Sequence, residues 1–385
     1  MKICMFTGYY LPHIGGLESY IGNLSKKLKQ LGAEIIIVTS NHSSLPDTET
    51  IDGVKVYRLP VTKFLRDRFP IPKFCKKYFA IRKKVIDEKS DIYILHTRFF
   101  LTTLIGARIA KKSRKPAIVI EHGSGYLTQG NRVVDFCFRQ YEHLVSLFVK
   151  KRAAAFYGVS KKCNEWLRNF GIVADGVFYN GVNQEDVGNK DIDIRKKYNI
   201  PRNKVIISFA GRLIREKGIT SLLESFAELI KEEENVFLLV MGDGPLLPEI
   251  SDKYGKDKNI RLLGGVNHSR VMNILAASDI VVQPSVYPEG LSTILLESGL
   301  NECAVISTPM GGAKEVIIDS NYGIIINPNS QEELVKAMKY LIENKTYRNK
   351  IAQNLHERVL THFNWDQTAK QVLKEVNDIT KQYDN

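Results

Sequence analysis

The chain has 385 residues, 44% apolar and 25% charged, with a formal net charge of +13; this length is too great for one ordinary core and favours two domains. Its five cysteines are scattered, odd in number and never spaced C-x-x-C, which argues against a disulfide framework or a zinc site and fits a reducing cytoplasm. No apolar run reaches the roughly 18 residues of a membrane span, and Thr7–Gly8 interrupt the N-terminal run too early for a signal peptide.

In chain order, KICMFT reads as a first strand and LESYIGNLSKKLKQLG as a helix ending at Gly32, a residue suited to the left-handed C-cap. EIIIVTS follows as a strand. FLRDRFPIPKFCKKYFAIRKKVI (64–86) then mixes Phe64, Leu65 and Phe69 with many cations. After Pro72 its Phe74, Tyr78, Ile81 and Val85 follow helical spacing, which predicts a helix packed on the sheet. The strands IYILH, AIVIEHG and AFYGVS complete the first half, and several are continuously apolar, as parallel strands covered on both faces are. The charge is one-sided: residues 1–189 hold 30 Lys and Arg against 16 Asp and Glu, whereas the rest holds 25 against 26. Such an excess suits an anionic partner, or a basic surface kept for solubility. The sharper expectation is that 63–84 meets an anionic membrane surface, extended by KKSRK (111–115) and KKR (150–152). Its rival is an ordinary helix with a solvated basic face. Nucleic acid is not expected, because no aromatic platform interleaves the cations.

Residues 180–203 are polar and rich in turn formers, and mark the break between halves. Beyond them VIISFAG, VFLLVMG, IRLLGG, IVVQPS, AVIST and GIIINP read as strands alternating with helices. SFAGRLIREKGI puts Gly211 at a strand end with Arg212 and Lys217 before a helix, a unit that suits a diphosphate and equally an ordinary helix start with surface cations. VMGDGPL carries Gly242 and Gly244 in a turn open to a nucleotide, or simply tight. PEGLSTILLESG places Glu289 in the turn beyond IVVQPS, Ser292 at a helix N-cap and Glu297 inside that helix. The pair reads as two hydroxyl-orienting carboxylates or as a turn residue and a surface residue. STPMGGAKEVI adds Gly311 and Gly312 at another strand–helix turn.

AGRLIREKG, GDGP, PEGLSTILLE and GGAKEVI, in this order, together with GGLESYIGNLSKKL, EHG, VSKK and NGV in the first half, resemble the retaining nucleotide-sugar glycosyltransferases of family four, the glycosyl transferases group one. The resemblance implies an α/β fold of GT-B architecture, two Rossmann-like domains with mainly parallel sheets facing across a cleft. Residues 1–182 would bind the acceptor, with a helix at about 366–385 packing back on them, and 183–365 the donor. It assigns Glu297 to the ribose hydroxyls, Glu289 to the transferred sugar, and Arg212 and Lys217 to the diphosphate. Gly15, Gly16, Gly242, Gly290, Leu291 and Ser292 line the donor, and His122 stands near the reacting sugar. His122, Glu289, Arg212 and Lys217 form the expected catalytic set. A UDP- or GDP-sugar is the expected donor. A glycan or lipid-linked saccharide of a cell-envelope polymer, such as lipopolysaccharide or capsule, is the expected acceptor. The resemblance further implies retention of configuration, no bound metal and no separate cofactor. Asp191 and Asp193, spaced as in metal-dependent transferases, fall in the inter-domain linker.

The sequence departs from the family pattern at ESGLNECAV, where Glu302 and Ala304 replace a usual glycine and proline, at Leu291, and at Ala33. These spare the charged positions and alter the pocket's shape. A same-fold epimerase or phosphorylase, and a non-catalytic sugar-binding subunit, are the rival readings. The expected location is the cytoplasm, with peripheral attachment to the inner face of the cytoplasmic membrane through the basic half.

Overall fold

In the computed structural model, which describes residues 1–13, 15–64, 69–128 and 130–384, the chain divides into two compact units. One comprises Met1–Asn180 with Trp365–Asn385, the other Gly181–Asn364.

The first unit is built on strands β1 (Lys2–Phe6), β2 (Glu34–Asn41), β3 (Thr48–Ile51), β4 (Val54–Phe64), β5 (Phe69–Pro72), β6 (Ile92–His96), β7 (Ala117–Glu121), β8 (Ala155–Gly158) and β9 (Gly176–Val177). They lie in the order β3-β4-β2-β1-β6-β7-β8-β9, with β5 on β4. Pairing is parallel except at β3 and β5, which run antiparallel to β4. β6 and β7 are buried along their whole length, which is why they read as unbroken apolar runs rather than alternating ones. The chain leaves β1 for β2 on one side and later for β6 on the other, so the direction of winding reverses between β1 and β6. Ligands of open parallel sheets bind beyond the strand carboxyl ends at such a reversal. Helices Lys76–Asp87, Leu101–Ser113 and Arg132–Lys150 cover one face, sharing a core that includes Ile81, Val85, Leu104, Val145 and Val149. The helix Trp365–Asp384 packs on the helix Gly16–Gln30, where Trp365 stacks edge-on to Tyr20 at 5.1 Å and Lys27 pairs with Asp366 at 3.0 Å.

The second unit carries β10 (Val205–Ala210), β11 (Val236–Met241), β12 (Ile260–Leu262), β13 (Ile280–Gln283), β14 (Ala304–Ser307) and β15 (Ile324–Ile325), ordered β12-β11-β10-β13-β14-β15 and all parallel. The reversal here lies between β10 and β13. Ile207, Phe209, Leu238, Val240, Val282 and Ile306 form the centre of its core. Asp193, expected in an inter-domain linker, lies inside the second unit and caps the short helix Ile194–Lys197 by accepting from the Lys196 N–H at 2.9 Å, so it has a structural role.

Two expectations for the basic segment need correction. Phe69, grouped with the cations as a lipid-facing residue, is buried: β5 turns it inward against Phe138 and Tyr141, with ring centroids 5.8 and 5.2 Å away. Phe74 precedes the helix Lys76–Asp87 and is exposed, whereas Tyr78, Ile81 and Val85 are buried as their spacing predicts. Leu65, and the side chains of Lys63 and Phe64, lie outside what is described. Among the described residues no helix is long and apolar enough to cross a membrane.

Candidate functional site

The carboxyl ends of β11, β10, β13 and β14 are tied together by loop backbone. After β10, Gly211 is crossed by Gly242, which follows β11 with φ +145°; a Cβ on Gly242 would lie 1.8 Å from the Gly211 carbonyl. Only glycine fits such a conformation at that approach. The Leu213 N–H donates to Asp243 O at 2.9 Å, and Leu213 O accepts from Leu246 N at 3.1 Å. The β10 and β13 loops join in the same way: Val286 N donates to Glu216 O at 2.9 Å, and a Cβ on Gly218 would meet Pro284 O at 2.0 Å. Gly311 after β14, at φ +54°, would bring a Cβ to 2.3 Å from Glu289 O, and Gly312 N donates to Gly290 O at 2.8 Å.

This backbone frame sets the side chains. Lys217, on the single turn Arg215–Lys217, reaches Glu289 across the winding reversal, Nζ to Oε1 at 2.6 Å. Both groups are partly shielded yet reachable from solvent. Arg212 is exposed and makes no ion pair among the described residues. Leu291 is buried, Gly290 is buried, and Ser292 occupies the N-cap of the helix Thr293–Leu300 without a side-chain capping bond. One turn inside that helix Glu297 accepts from His268 Nε2 at 3.0 Å, and this bond holds the His268 imidazolium above its ordinary pKa. The sequence reading did not find His268; only its position at the start of the helix His268–Ala276, after a strand end, could have signalled it.

In the first unit the loop after β1 leads to Gly15, an extended N-cap, and Gly16, the first residue of its helix. Glu18 is buried in that first turn, its carboxylate against Gly15 and bonded to His13 Nδ1 at 2.9 Å. Where β6 and β7 end, His96 Nδ1 and His122 Nε2 lie 3.0 Å apart, with the ring of buried Tyr20 edge-on to His122 at 4.7 Å. Burial lowers the pKa of His96 to about 3, and burial together with His96 holds His122 well below the usual imidazole range. Two neutral imidazoles can share only one N–H···N bond, so each fixes the tautomer of the other. His96 Nε2 is buried and has no hydrogen-bond partner. A proton there would leave a buried donor unpaired, so the tautomer with His96 Nδ1–H donating to His122 Nε2 is favoured, and His122 keeps Nδ1–H as a donor.

Beside the pair, Arg98 is fully buried between two fully buried carboxylates, 2.9 Å from Glu121 and 2.6 Å from Glu142. Its guanidinium lies 3.8 Å from the Phe170 ring centroid. Burial raises the Glu142 pKa to about 7 even though Arg98 pulls the other way. Among the described residues no three His, Cys, Asp or Glu side chains gather as a metal ligand set.

Residues 190–358 match the family described as Glycosyl transferases group 1, and residues 14–186 that described as Glycosyltransferase Family 4. An uncharacterised glycosyltransferase of Methanocaldococcus jannaschii is 31% identical, over 97% of both chains. The GPI3 subunit of phosphatidylinositol N-acetylglucosaminyltransferase of Saccharomyces cerevisiae is 25% identical over 98% of this chain and 83% of its own. Among solved structures, Anabaena HepE in complex with UDP-glucose superposes with a TM-score of 0.77 at 19% identity, covering 98% of this chain and all of that one. With two parallel-sheet units, loops converging at each winding reversal and these similarities, the chain belongs to glycosyltransferase family 4 and has the GT-B fold.

Proposed function

We propose that this glycosyltransferase moves a sugar from a UDP- or GDP-sugar to a lipid-linked saccharide or glycan acceptor of the cell envelope, with retention of anomeric configuration and without a metal. The observation that carries the donor half is the Lys217–Glu289 pair on the β10–β13 reversal, with Arg212 exposed in the loop that follows β10. A nucleotide diphosphate presents negative charge where Arg212 and Lys217 stand, and a sugar presents hydroxyls to a carboxylate such as Glu289. Glu297, already shaped by His268, is assigned to the ribose diol. The close-packed glycines Gly242 and Gly311 leave backbone, rather than side chains, at the loop surface. A UDP-glucose complex of the Anabaena neighbour and a phosphatidylinositol sugar transferase among the relatives support a nucleotide-sugar donor and a lipid acceptor in that order.

In the reaction the bond between the anomeric carbon and the diphosphate oxygen breaks, and its electron pair leaves with the diphosphate. Arg212 and Lys217 stabilise the charge that develops there, which supplies the positive field a metal would otherwise provide. The acceptor hydroxyl oxygen bonds to the anomeric carbon on the same face, and its proton passes to the departing phosphate oxygen. Glu289 orients the sugar rather than attacking it. His122, neutral throughout the physiological range, is assigned to a sugar hydroxyl as donor through Nδ1–H.

The test is nucleotide release from a panel of UDP- and GDP-sugars, with and without lipid extract, and NMR of the product's anomeric proton. The reading expects acceptor-stimulated release from one sugar and a product with the donor's configuration. Inversion, or binding with no release under any condition, would overturn it.

A further inference from the structure

The helix Arg132–Lys150 has two apolar faces, and the fold uses only one. Val145 and Val149 enter the sheet core. On the opposite side Val133, Phe136, Leu144, Leu147 and Phe148 are exposed, Val133 at 73%, Phe136 at 61% and Leu144 at 56%. At about 100° per residue these five fall within a stripe of about 120°. They are five of the fourteen large exposed apolar residues among the described ones, so the exposure is concentrated rather than scattered.

A row of cations borders the stripe. Arg132, Arg139 and Lys150 stand along one edge, and Lys151 and Arg152 close the C-terminal end. Three of them make close contacts with neutral groups, Arg139 with the Tyr126 ring at 5.1 Å, Lys150 with the Gly171 carbonyl and Arg152 with Phe148 O at 2.7 Å. The helix holds two acids, Asp135, bonded by Thr128 at 2.8 Å, and Glu142, fully buried on the inner side. The outer face is therefore mainly apolar and cationic, with Cys137 and the uncharged Gln140 also exposed in the stripe and no exposed acid. The neighbouring helices on the same sheet face add exposed Phe79, Lys83, Lys84, Arg108, Lys111 and Lys112.

The inner side of the same helix is tied to the loops that follow β6 and β7. Glu142 accepts from the Leu127 N–H at 2.8 Å and from Arg98 at 2.6 Å, and the Tyr141 hydroxyl donates to Phe99 O at 2.7 Å. Those loops begin at His96 and Glu121.

We propose that helix 132–150 is an interfacial helix, lying along an anionic lipid bilayer by its outer face while its inner face fixes the loops beside the His96–His122 pair. The apolar stripe enters the headgroup–acyl boundary, and the cations meet lipid phosphates with their stems along the same surface. A second copy of the chain fits less well, since pairing two such stripes would crowd cationic rows of one sign. The acceptor reading gives this docking its purpose, but the binding itself is measured without any transfer.

The test is co-sedimentation of the full chain with vesicles of phosphatidylcholine alone and of phosphatidylcholine with phosphatidylglycerol, across a salt series. Wild-type protein should partition at least about tenfold more onto the anionic vesicles, and less as salt rises. The triple variant Phe136→Ser, Leu144→Ser, Leu147→Ser should lose at least about tenfold of that partition while keeping its circular dichroism and melting temperature. Equal binding of wild type to both vesicle types, or unchanged binding of the triple variant, overturns the proposal. So does a lipid-free dimer that the triple variant abolishes. Vesicle binding lost in wild type with nucleotide release intact sinks the docking alone; release absent with vesicle binding intact sinks the transferase reading alone.

Discussion

The two units use the same parallel-sheet plan and treat charge at the strand ends in opposite ways. In the second unit the loops are held by backbone, through glycines that no other residue can replace, and the charged side chains Arg212, Lys217, Glu289 and Glu297 are left at or near the surface. In the first unit the loops are held by side chains, with Arg98 enclosed between Glu121 and Glu142 and buried His96 bonded to His122. A charge exposed on a rigid backbone frame is available to a ligand. A charge enclosed among its partners positions structure. The difference says which substitutions should disable chemistry and which should disable folding.

The largest effect should come from the enclosed set. Arg98→Met leaves Glu121 and Glu142 buried without their cation, and breaking a buried ion pair in this way costs about 3–5 kcal/mol. Thermal melting should fall by on the order of 10 °C, and hydrogen exchange should show β6 and β7 losing protection. Melting within a degree or two of wild type would erase the contrast between the units. Next comes the exposed set. Lys217→Ala should lower kcat/KM about a hundredfold, as the loss of one transition-state charge partner does, with melting unchanged. A drop in stability as large as that of Arg98→Met would reassign Lys217 to structure.

His96 sharpens the comparison from inside the first unit. His96→Asn should lower kcat/KM about tenfold, on the scale of partners that orient a working imidazole, mainly in kcat. Gln at the same position, if it restores an N–H toward His122, should recover part of the loss. A KM-only effect, or no effect, would leave the pair a packing feature.

The smallest effect is a pH slope. The folded pKa of Glu142 is raised to about 7 from an ordinary 4.5, so folding favours its protonated form. That contribution is fully present below pH 4.5, where both states carry the proton, and is lost as pH rises through the folded value near 7. Melting temperature should therefore decline across this window in wild type, and Glu142→Gln should flatten the decline. A parallel decline in the variant would place the titration elsewhere.

Much of the fold was legible because several buried parallel strands are unbroken apolar runs, and all eleven segments read as strands contain strands. Strands β3, β4, β5 and β9 escaped that reading: they are short, edge-placed or alternating, and Pro60, Pro70 and Pro72 interrupt them. The helix 132–150 was likewise not read as having an exposed apolar face, since periodicity shows that apolar positions line up and not which side a sheet will cover. At the candidate site, Glu289, Arg212 and Lys217 were picked out as residue types beyond strand ends, and Glu297 as one inside the helix that follows. Their pairings were not: Lys217 meets Glu289 seventy-two positions away through a sheet crossover, and Glu297 meets His268 through helix packing. Arg98, Glu121 and Glu142 look in sequence like surface charges. The one local signal was at two strand ends, where Glu121 closes AIVIE and His96 closes IYILH.

The central claim is that the β10–β13 reversal takes the diphosphate of a nucleotide sugar. Calorimetric titration of UDP- and GDP-sugars into wild type and Lys217→Ala tests it most directly. The account predicts that wild type binds one of these donors and that the variant binds it at least about tenfold more weakly, the loss expected for one charged hydrogen bond. Equal affinity of the two proteins for the donor, or no binding of either class by wild type, would contradict it.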